Sequence, residues 1–295
     1  EFFSLSPFDE ARYARLLEGL EATEVLLNDL NDEGRIDSQY FQKKYLKEDA
    51  CRRHFTSISL GSQAFITDGP HGYHVVDEGS DIAMLTARCA KQWFADRSPA
   101  ETIALATHES SLRSSLAEND LILSTRGTVG ACAIVEAETL PANIDQDVAR
   151  ICICGGAKVK PRYVLAYLNS RFGQDWIERN ATGMVQQGLS LAKVRELPIP
   201  VLADSLQGHI ECLIQLASRE RGLSRESRAN AEQALLDALG LNAWTPPETL
   251  SYMRSSQDAF AAGRLDAEYF QPQFAALQGI LNATGSGVRL GDHLA

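Results

Sequence analysis

A nine-residue internal repeat constrains the organisation of this chain more than any other feature of its sequence. The segment GRIDSQYFQ at residues 34–42 returns as GRLDAEYFQ at residues 263–271, an offset of 229. Further along, Leu-Gly at residues 60–61 matches Leu-Gly at residues 290–291, an offset of 230. Solenoid repeats have periods of roughly 20–50 residues, so this spacing is too long for a solenoid. The repeat therefore predicts a duplicated domain whose second copy begins near residue 263.

Short apolar runs separated by Gly, Asp and Pro predict a mixed α/β region over residues 51–203. Strands are expected at residues 82–85, 121–124, 131–135 and 148–153. A helix is expected to begin at Pro161, an N1 residue, and to end just before Gly183. Residues 197–201, LPIPV, carry prolines at alternate positions and can form only an edge strand or an extended connector.

Two longer helices are expected outside this region. Residues 204–240 contain no proline and carry a thin apolar stripe with a very polar middle, which is typical of a helix that lies along another helix. Residues 10–30 predict a second helix of the same kind. The expected fold class is α/β (α+β) with a mixed or antiparallel sheet, plus long helices in coiled-coil-like pairing.

These patterns divide the chain into four expected segments. They are an N-terminal helical segment at 1–33, a mixed α/β domain at 34–203, a spacer helix with its connector at 204–262, and the start of a second domain at 263–295.

Charge limits the partners that the chain can have. The net charge of −11 excludes a broadly basic protein that coats DNA. Residues 150–203 nevertheless hold eight basic and three acidic side chains, a local +5 that permits one basic face. No run of 18 apolar residues occurs, and the sequence starts at Glu1 without a recognisable secretory signal. We therefore expect a cytoplasmic protein without a membrane span, whose six scattered cysteines are reduced.

Motifs for catalysis are missing from the sequence. It contains no GxxxxGK[ST] phosphate loop, no GxGxxG turn, no GxSxG elbow and no carboxylate–x–lysine pair of metal-dependent nucleases. We therefore expect a non-catalytic protein that needs no cofactor. The pairs Cys51/His54 and His71/His74 offer four zinc ligands, but structural zinc sites favour cysteine pairs, so we expect surface histidines and no metal.

The segment LILSTRGTVG at residues 121–130 predicts a strand that runs into a tight glycine turn. Such a turn can bring the backbone close to a ligand, with Arg126 and Thr128 placed to touch phosphates or base edges. The alternative is a β-hairpin whose glycines only supply positive φ angles.

Several further short motifs follow one another along residues 34–295. In order they are GRIDSQYF at 34–41, TDGPHG at 67–72, LILSTRGTVG at 121–130, NIDQD at 143–147, YVLAYLNSRFG at 163–173, TGMVQQGL at 182–189, LPIP at 197–200 and a helix start around 207–210. This ordered set, together with the duplicated RIDSQYF/RLDAEYF, resembles the DNA-specificity (S) subunit of type I restriction–modification systems.

The resemblance implies a fold, a function and partners. In that family two target recognition domains each read half of a split DNA sequence, and long helices between them dock two methyltransferase subunits. This chain resembles one recognition domain, its spacer helix and the first strand of a second domain at residues 288–291. It is expected to be a fragment or a half-subunit that pairs with a second copy. The implied partners are double-stranded DNA, methyltransferase subunits and a restriction or translocase subunit.

Side-chain chemistry indicates how the residues would contact DNA. Gln186 and Gln187 can pair with adenine and Arg126 with guanine in the major groove, whereas Thr128 and nearby cations would hold phosphates. The predicted phosphate-binding cations are Lys158, Lys160 and Arg162. The remaining predicted DNA-binding residues lie in or beside the family motifs, and they are Gly69, His71, Tyr73, Gln146 and Ser190. The alternative function, favoured by the acidic total, is a protein-interaction scaffold of a methyltransferase assembly that no longer reads DNA.

Overall fold

The computed structural model of the chain describes residues 9–27, 35–72, 74–183, 188–283 and 285. The chain divides into two compact units between Leu216 and Ala217.

Ten strands and nine α-helices lie within the described ranges. The strands are β1 (Ser57–Ser59), β2 (Ala64–Asp68), β3 (Ile82–Leu85), β4 (Trp93–Phe94), β5 (Glu101–Ile103), β6 (Leu121–Ser124), β7 (Cys132–Ile134), β8 (Ala142–Ile144), β9 (Val148–Ile153) and β10 (Pro198–Pro200). The helices are α1 (Glu10–Leu16), α2 (Lys43–Arg52), α3 (Leu105–Ser110), α4 (Pro161–Asn169), α5 (Arg171–Asn180), α6 (Leu191–Glu196), α7 (Asp204–Leu239), α8 (Ser256–Ala262) and α9 (Pro272–Ala283).

The strands of the first unit form three sheets. The largest has the order β2-β9-β6-β7-β4 and is antiparallel except for the parallel pair β4–β7. A three-stranded sheet has the order β5-β3-β8, in which β3 is antiparallel to β5 and parallel to β8. The short strands β1 and β10 pair with each other in an antiparallel ribbon. The expected mixed α/β class with mixed and antiparallel sheets is confirmed and one long helix, α7, accompanies it, whereas the expected coiled-coil-like pairing of long helices stays a prediction.

Strand β6, the middle strand of the five-stranded sheet, is buried on both of its faces. Leu121 and Leu123 pack in a cluster with residues of α4, while Ile122, on the opposite face, packs with residues of β3 and β8. A strand that is apolar at successive positions is therefore buried on both faces, as continuous apolar runs indicate. Helices cover one face of this sheet and the three-stranded sheet covers the other. Each fully buried Leu or Ile contributes roughly 1.5–3 kcal/mol to folding.

The single helix predicted from Pro161 to just before Gly183 is two helices, α4 and α5, so the prediction is wrong in its middle, whereas its end agrees with the end of α5 at Asn180. Pro161 stands at the start of α4 as expected, but Ser170 adopts an extended conformation (φ −74°, ψ 163°) and begins α5. Its hydroxyl accepts a hydrogen bond from the Gly173 amide. A Cβ at Gly173 would lie 2.3 Å from the Tyr167 carbonyl oxygen, so the two helices meet at a contact that only glycine permits.

Helix α7 spans Asp204–Leu239 and confirms the long helix predicted over residues 204–240. The second long helix, predicted over residues 10–30, is wrong in extent because α1 ends at Leu16. Gly19 adopts a left-handed φ of +77° just beyond it, and residues 21–26 are irregular. None of the helices in the described ranges is both long and apolar enough to cross a membrane.

The repeated segment forms the same local structure in both units. In the first copy Arg35 Nε lies 2.8 Å from Asp37 Oδ2, and the Tyr40 amide donates to Asp37 Oδ1 at 2.9 Å. In the second copy Arg264 Nε lies 2.7 Å from Asp266 Oδ2, and the Tyr269 amide donates to Asp266 Oδ1 at 3.0 Å. In both copies the guanidinium lies over the tyrosine ring, 4.5 Å and 4.6 Å from its centroid.

The surroundings of the two copies differ. In the first, Arg179 of α5 lies 4.0 Å from the centroid of the Tyr40 ring and donates to the Tyr40 carbonyl. In the second, Tyr269 is 46% exposed, whereas Leu265, at 80%, is as exposed as its counterpart Ile36, at 79%. The predicted strand at residues 288–291 and the repeated Leu-Gly at 290–291 lie outside the described residues, as does Gly34. The expected segment boundaries, 1–33, 34–203, 204–262 and 263–295, stay predictions.

Candidate nucleic-acid interface

Four loops of the first unit meet at one end of the five-stranded sheet. Strand β2 ends at Asp68 and β6 ends at Ser124, and these residues pair with Ala149 and Val148 at the start of β9. The three strands therefore finish level with one another. We call this region the Arg126 end and define it as the loops 69–72, 86–91, 125–130 and 145–147.

Arg126 is held by the loop that precedes β9. The Thr125 amide and hydroxyl both donate to the Asp147 carbonyl at 2.9 Å, and Arg126 Nη1 lies 3.1 Å from Asp147 Oδ1. The Arg126 side chain is still 48% exposed. Gly127 and Gly130 have φ angles of +73° and +92°, so the turn predicted after β6 is a glycine turn. It presents the backbone and Thr128 to solvent.

Gly69 joins the end of β2 to the same loop. Its amide donates to the Asp145 carbonyl at 3.1 Å, and a Cβ at this position would lie 1.8 Å from the Ile144 carbonyl oxygen. Gly69 is thus buried and needs to be glycine because two backbone segments touch there. His71, two residues later, is exposed and lies 3.3 Å from Asp68 Oδ2. Tyr73 lies outside the described residues.

Acidic groups balance part of the positive charge at the Arg126 end. Burial raises the pKa of Asp145 to about 6, and the amide of Asp147, which donates to the Asp145 carboxylate, opposes this shift. Gln146, between these two aspartates, is half-buried. Asp68 also pairs with Arg113 at 3.4 Å. The surface is therefore mixed in charge rather than uniformly basic.

Two cations at the Arg126 end were missed by the sequence prediction. Arg88 and Lys91 follow β3 and are exposed. Their loop reaches the glycine turn, since the Ala87 Cβ lies 3.9 Å from where a Gly127 Cβ would stand. Neither side chain forms an ion pair within the residues that the structure describes. The sequence feature that could have indicated Arg88 and Lys91 is that both cations lie within six residues of the end of the buried strand β3.

Lys158, Lys160 and Arg162 lie at the opposite end of the sheet. They follow the last residue of β9, whereas Arg126 lies beside its first residue. At about 3.3 Å per residue, this six-residue strand separates the three cations from Arg126 by roughly 17 Å. Lys160 Nζ lies 3.5 Å from Asp204 and 3.4 Å from Glu211, and Arg162 Nη1 donates to Asn119 Oδ1 at 2.6 Å. Lys158 is exposed, and its amide donates to Gln63 Oε1.

The local excess of +5 over residues 150–203 does not form one basic face. Five of the eight basic side chains pair with carboxylates, and they are Arg150, Lys160, Arg171, Arg179 and Lys193. The Arg150–Asp120 pair is buried and joins β9 to the turn before β6 at 2.7 Å. The charge count permits one basic face, but the structure distributes these five cations among separate ion pairs.

Thr182, Gly188 and Leu189 lie beside the Arg126 end. Gln186 and Gln187 lie outside the described residues. On either side of them, Thr182 and Gly188 exchange two backbone hydrogen bonds, and Gly188 forms a bridge with Arg126. The Leu189 amide donates to the Thr125 carbonyl, and the Ser190 hydroxyl accepts from the Lys193 amide at the start of α6.

The cysteines and histidines show no metal centre in the described ranges, where no three His, Cys, Asp or Glu side chains are grouped as ligands. All six cysteines are free thiols. His71 contacts Asp68, and His74 lies 3.6 Å from Glu101.

No protein-family model matches this sequence, and no curated protein matches it. Among solved structures, it is similar to the type I restriction–modification S subunit from M. genitalium, with 12% identity and a TM-score of 0.44, over 68% of this chain and 56% of that one. It is similar to the HsdS subunit from Thermoanaerobacter tengcongensis, with 14% identity and a TM-score of 0.41, over 68% and 51%. It is also similar to the type IIG restriction endonuclease BpuSI, with 9% identity and a TM-score of 0.43, over 84% and 34%. The chain spans about half the length of the two S subunits.

Proposed function

We propose that this chain recognises a duplex DNA sequence, as the specificity component of a type I restriction–modification complex, and that the Arg126 end is its reading face. The observation that carries this proposal is the convergence of four loops around Arg126. Base edges are read by side chains that a rigid scaffold holds in place, and here each loop follows or precedes a buried strand. The chain has a binding role in this proposal and leaves catalysis to other subunits.

Arg126 is the proposed base-reading residue. Its guanidinium can donate two hydrogen bonds to O6 and N7 of guanine. The pair with Asp147 is half-exposed, and such surface pairs contribute only about 0–1 kcal/mol, so a base can replace the carboxylate. Gln186 and Gln187 are proposed to contact adenine, because the residues that flank them meet beside Arg126.

The phosphate contacts are proposed to come from two places. Thr128, Arg88 and Lys91 would hold phosphates beside the reading face. Lys158, Lys160 and Arg162 would hold phosphates roughly 17 Å away, which is about half a turn of B-DNA. The remaining proposed DNA-binding residues are Gly69, which shapes the loop, and His71, Tyr73, Gln146 and Ser190.

Helix α7 is the proposed docking element for a methyltransferase subunit. Leu206, Leu213, Leu216 and Leu223 are spaced by seven, three and seven residues and are 46–52% exposed. A seven-residue spacing of apolar side chains is typical of a helix that pairs with another helix. The same stripe supports the second candidate, a scaffold that no longer reads DNA, and it would also serve a restriction subunit or a second copy of this chain.

Selection from a pool of randomised DNA duplexes tests the proposal. The chain, alone and with a methyltransferase subunit, should enrich a defined sequence, and its affinity should fall as salt rises. Arg126→Ala should relax one base position at a cost of roughly 1–3 kcal/mol, whereas Lys158→Ala should weaken all duplexes alike and reduce the salt slope by about one.

Arg254→Ala is the matched control, since Arg254 is an exposed cation in the second unit and should leave both properties unchanged. A chain that enriches no sequence in either setting, while still binding the methyltransferase subunit, would support the scaffold instead. Arg126→Ala with an unchanged sequence preference would mean that the reading face lies elsewhere.

A further inference from the structure

A large apolar cavity opens in the helical layer of the first unit. It measures about 330 Å³ and is lined chiefly by Phe55, Ala166, Tyr167, Phe172, Leu202 and Ile210. A dry cavity of roughly 150 Å³ is enough to admit benzene, so this one accommodates a phenyl or indole ring with room for its attached chain.

Two aromatic rings that line this cavity remain partly exposed to solvent. Phe55 and Phe172, which line it, are 54% and 48% exposed. Tyr167 is 91% buried, yet its hydroxyl has no hydrogen-bond partner among the described residues. An aromatic occupant of the cavity would cover the two phenylalanine rings, whereas the Tyr167 hydroxyl is enclosed by the protein and lies out of its reach.

A second depression adjoins the apolar cavity and is rich in cations. It measures about 580 Å³, and it shares Cys51 and Phe172 with the first. Its cationic lining residues are Lys43, Lys44, Lys47 and Arg171. Lys44 pairs with Glu178 at 2.8 Å, whereas Lys43 and Lys47 form no side-chain ion pair within the part of the chain that the structure describes.

The acidic residues of the depression do not cancel this charge. Glu21 accepts a hydrogen bond from the Lys43 amide at the start of α2. Glu48 is buried, and burial together with the neighbouring Asp175 carboxyl raises its pKa to about 7. Glu48 also lies 3.5 Å from Arg171 Nε, so Glu48 is matched by Arg171 and Lys44 by Glu178, and the positive charge of the depression comes from Lys43 and Lys47.

We propose that these two adjoining hollows form one docking site for a protein segment in which a bulky aromatic side chain is flanked by carboxylates. The aromatic ring enters the apolar cavity, and the carboxylates contact Lys43 and Lys47. Charge complementarity selects an acidic segment, and the depth and apolar lining of the cavity select a phenyl or indole ring. The proposal is independent of DNA reading, because none of these residues belongs to the Arg126 end.

Fluorescence polarisation of labelled peptides on the full chain tests this site. The probes are fluorescein-labelled GSDEFEDGS, its alanine counterpart GSDEAEDGS, and the basic counterpart GSKKFKKGS. We expect GSDEFEDGS to bind at least tenfold more tightly than GSDEAEDGS, which lacks the ring, and at least tenfold more tightly than GSKKFKKGS, whose lysines are repelled by Lys43 and Lys47. Equal binding of the three peptides, or binding of none, overturns the proposal.

Variants locate the binding on the chain. Ala166→Trp fills the cavity and should weaken GSDEFEDGS at least tenfold. Lys43→Glu and Lys47→Glu should each weaken it about threefold to tenfold, whereas Arg254→Glu, the same charge reversal in the second unit, should not. Should Ala166→Trp prevent folding, the two lysine variants decide, because both side chains are exposed. Unchanged binding in both lysine variants overturns the proposal.

Discussion

Replacing Gly69 by alanine should destabilise the first unit and disturb the Arg126 end together. The added Cβ would stand 1.8 Å from the Ile144 carbonyl oxygen, whereas ordinary contacts begin near 3.4 Å. Because the obstacle is backbone, β8 or the end of β2 has to move by more than about 1 Å. Overpacking of this kind costs typically 1–3 kcal/mol, and loss of the Gly69–Asp145 hydrogen bond adds about 1 kcal/mol. We therefore expect a loss of about 2–4 kcal/mol.

Thermal and urea denaturation of the full chain measure this loss. For a unit of this size, each kcal/mol lowers Tm by roughly 2–4 °C, so Gly69→Ala should lower Tm by about 4–16 °C. Gly79→Ala is the matched control, since its Cβ would meet only Asp77 Oδ1 at 3.4 Å, and its stability should change by less than about 1 kcal/mol. Equal midpoints for the two variants would refute the reasoning that a backbone contact fixes the glycine.

Two further predictions concern buried carboxylates. Burial raises the pKa of Asp145 to about 6, so folding favours its neutral form and the free energy of unfolding should fall as pH rises from about 4 to 6. The Asp145→Asn variant should not show this fall and should be about 1–2 kcal/mol more stable than wild type at pH 7. Urea denaturation of both proteins across this pH range and at pH 7 measures the difference. No difference between wild type and Asp145→Asn at pH 7 would contradict it. Asp120→Ala should cost about 3–5 kcal/mol, because Arg150 is left buried without its partner, and the double variant Asp120→Ala/Arg150→Met should recover part of that loss in the same assay. Additive losses in the double variant would show that the two side chains are not coupled.

The sequence predicted the core strands well because burial on both faces leaves a distinct pattern. Residues 82–85, 121–124 and 148–153 are strands with the expected bounds, and the run at 131–135 is strand β7, Cys132–Ile134. The break at Ser170 was not predictable from apolar spacing, since the apolar positions continue across it. It depends on the hydroxyl that caps α5 and on the close contact at Gly173.

The candidate site was only partly predictable for a topological reason. The turn at Arg126 and the NIDQD segment meet because β6 and β9 pair antiparallel, and one sequence does not reveal that pairing. Residues before and after one strand, such as Asp147 and Lys158, must lie at opposite ends of it. The charge count over residues 150–203 hid this separation, because it added the cations of β9 and of the opposite end of the sheet to those of α5 and α6 and included none from the Arg126 end.

The duplicated segment has a consequence for the order of folding. Its arginine–aspartate pair, amide cap and stacked tyrosine form in the first copy beside Arg179, and they form again in the second copy, where Tyr269 is exposed. Contacts within six residues therefore determine this conformation, and contacts from distant parts of the chain only cover it. Structure of such short range closes with little loss of chain entropy and precedes the pairing of distant strands. Each copy can thus form as a local unit before distant strands of the chain pair.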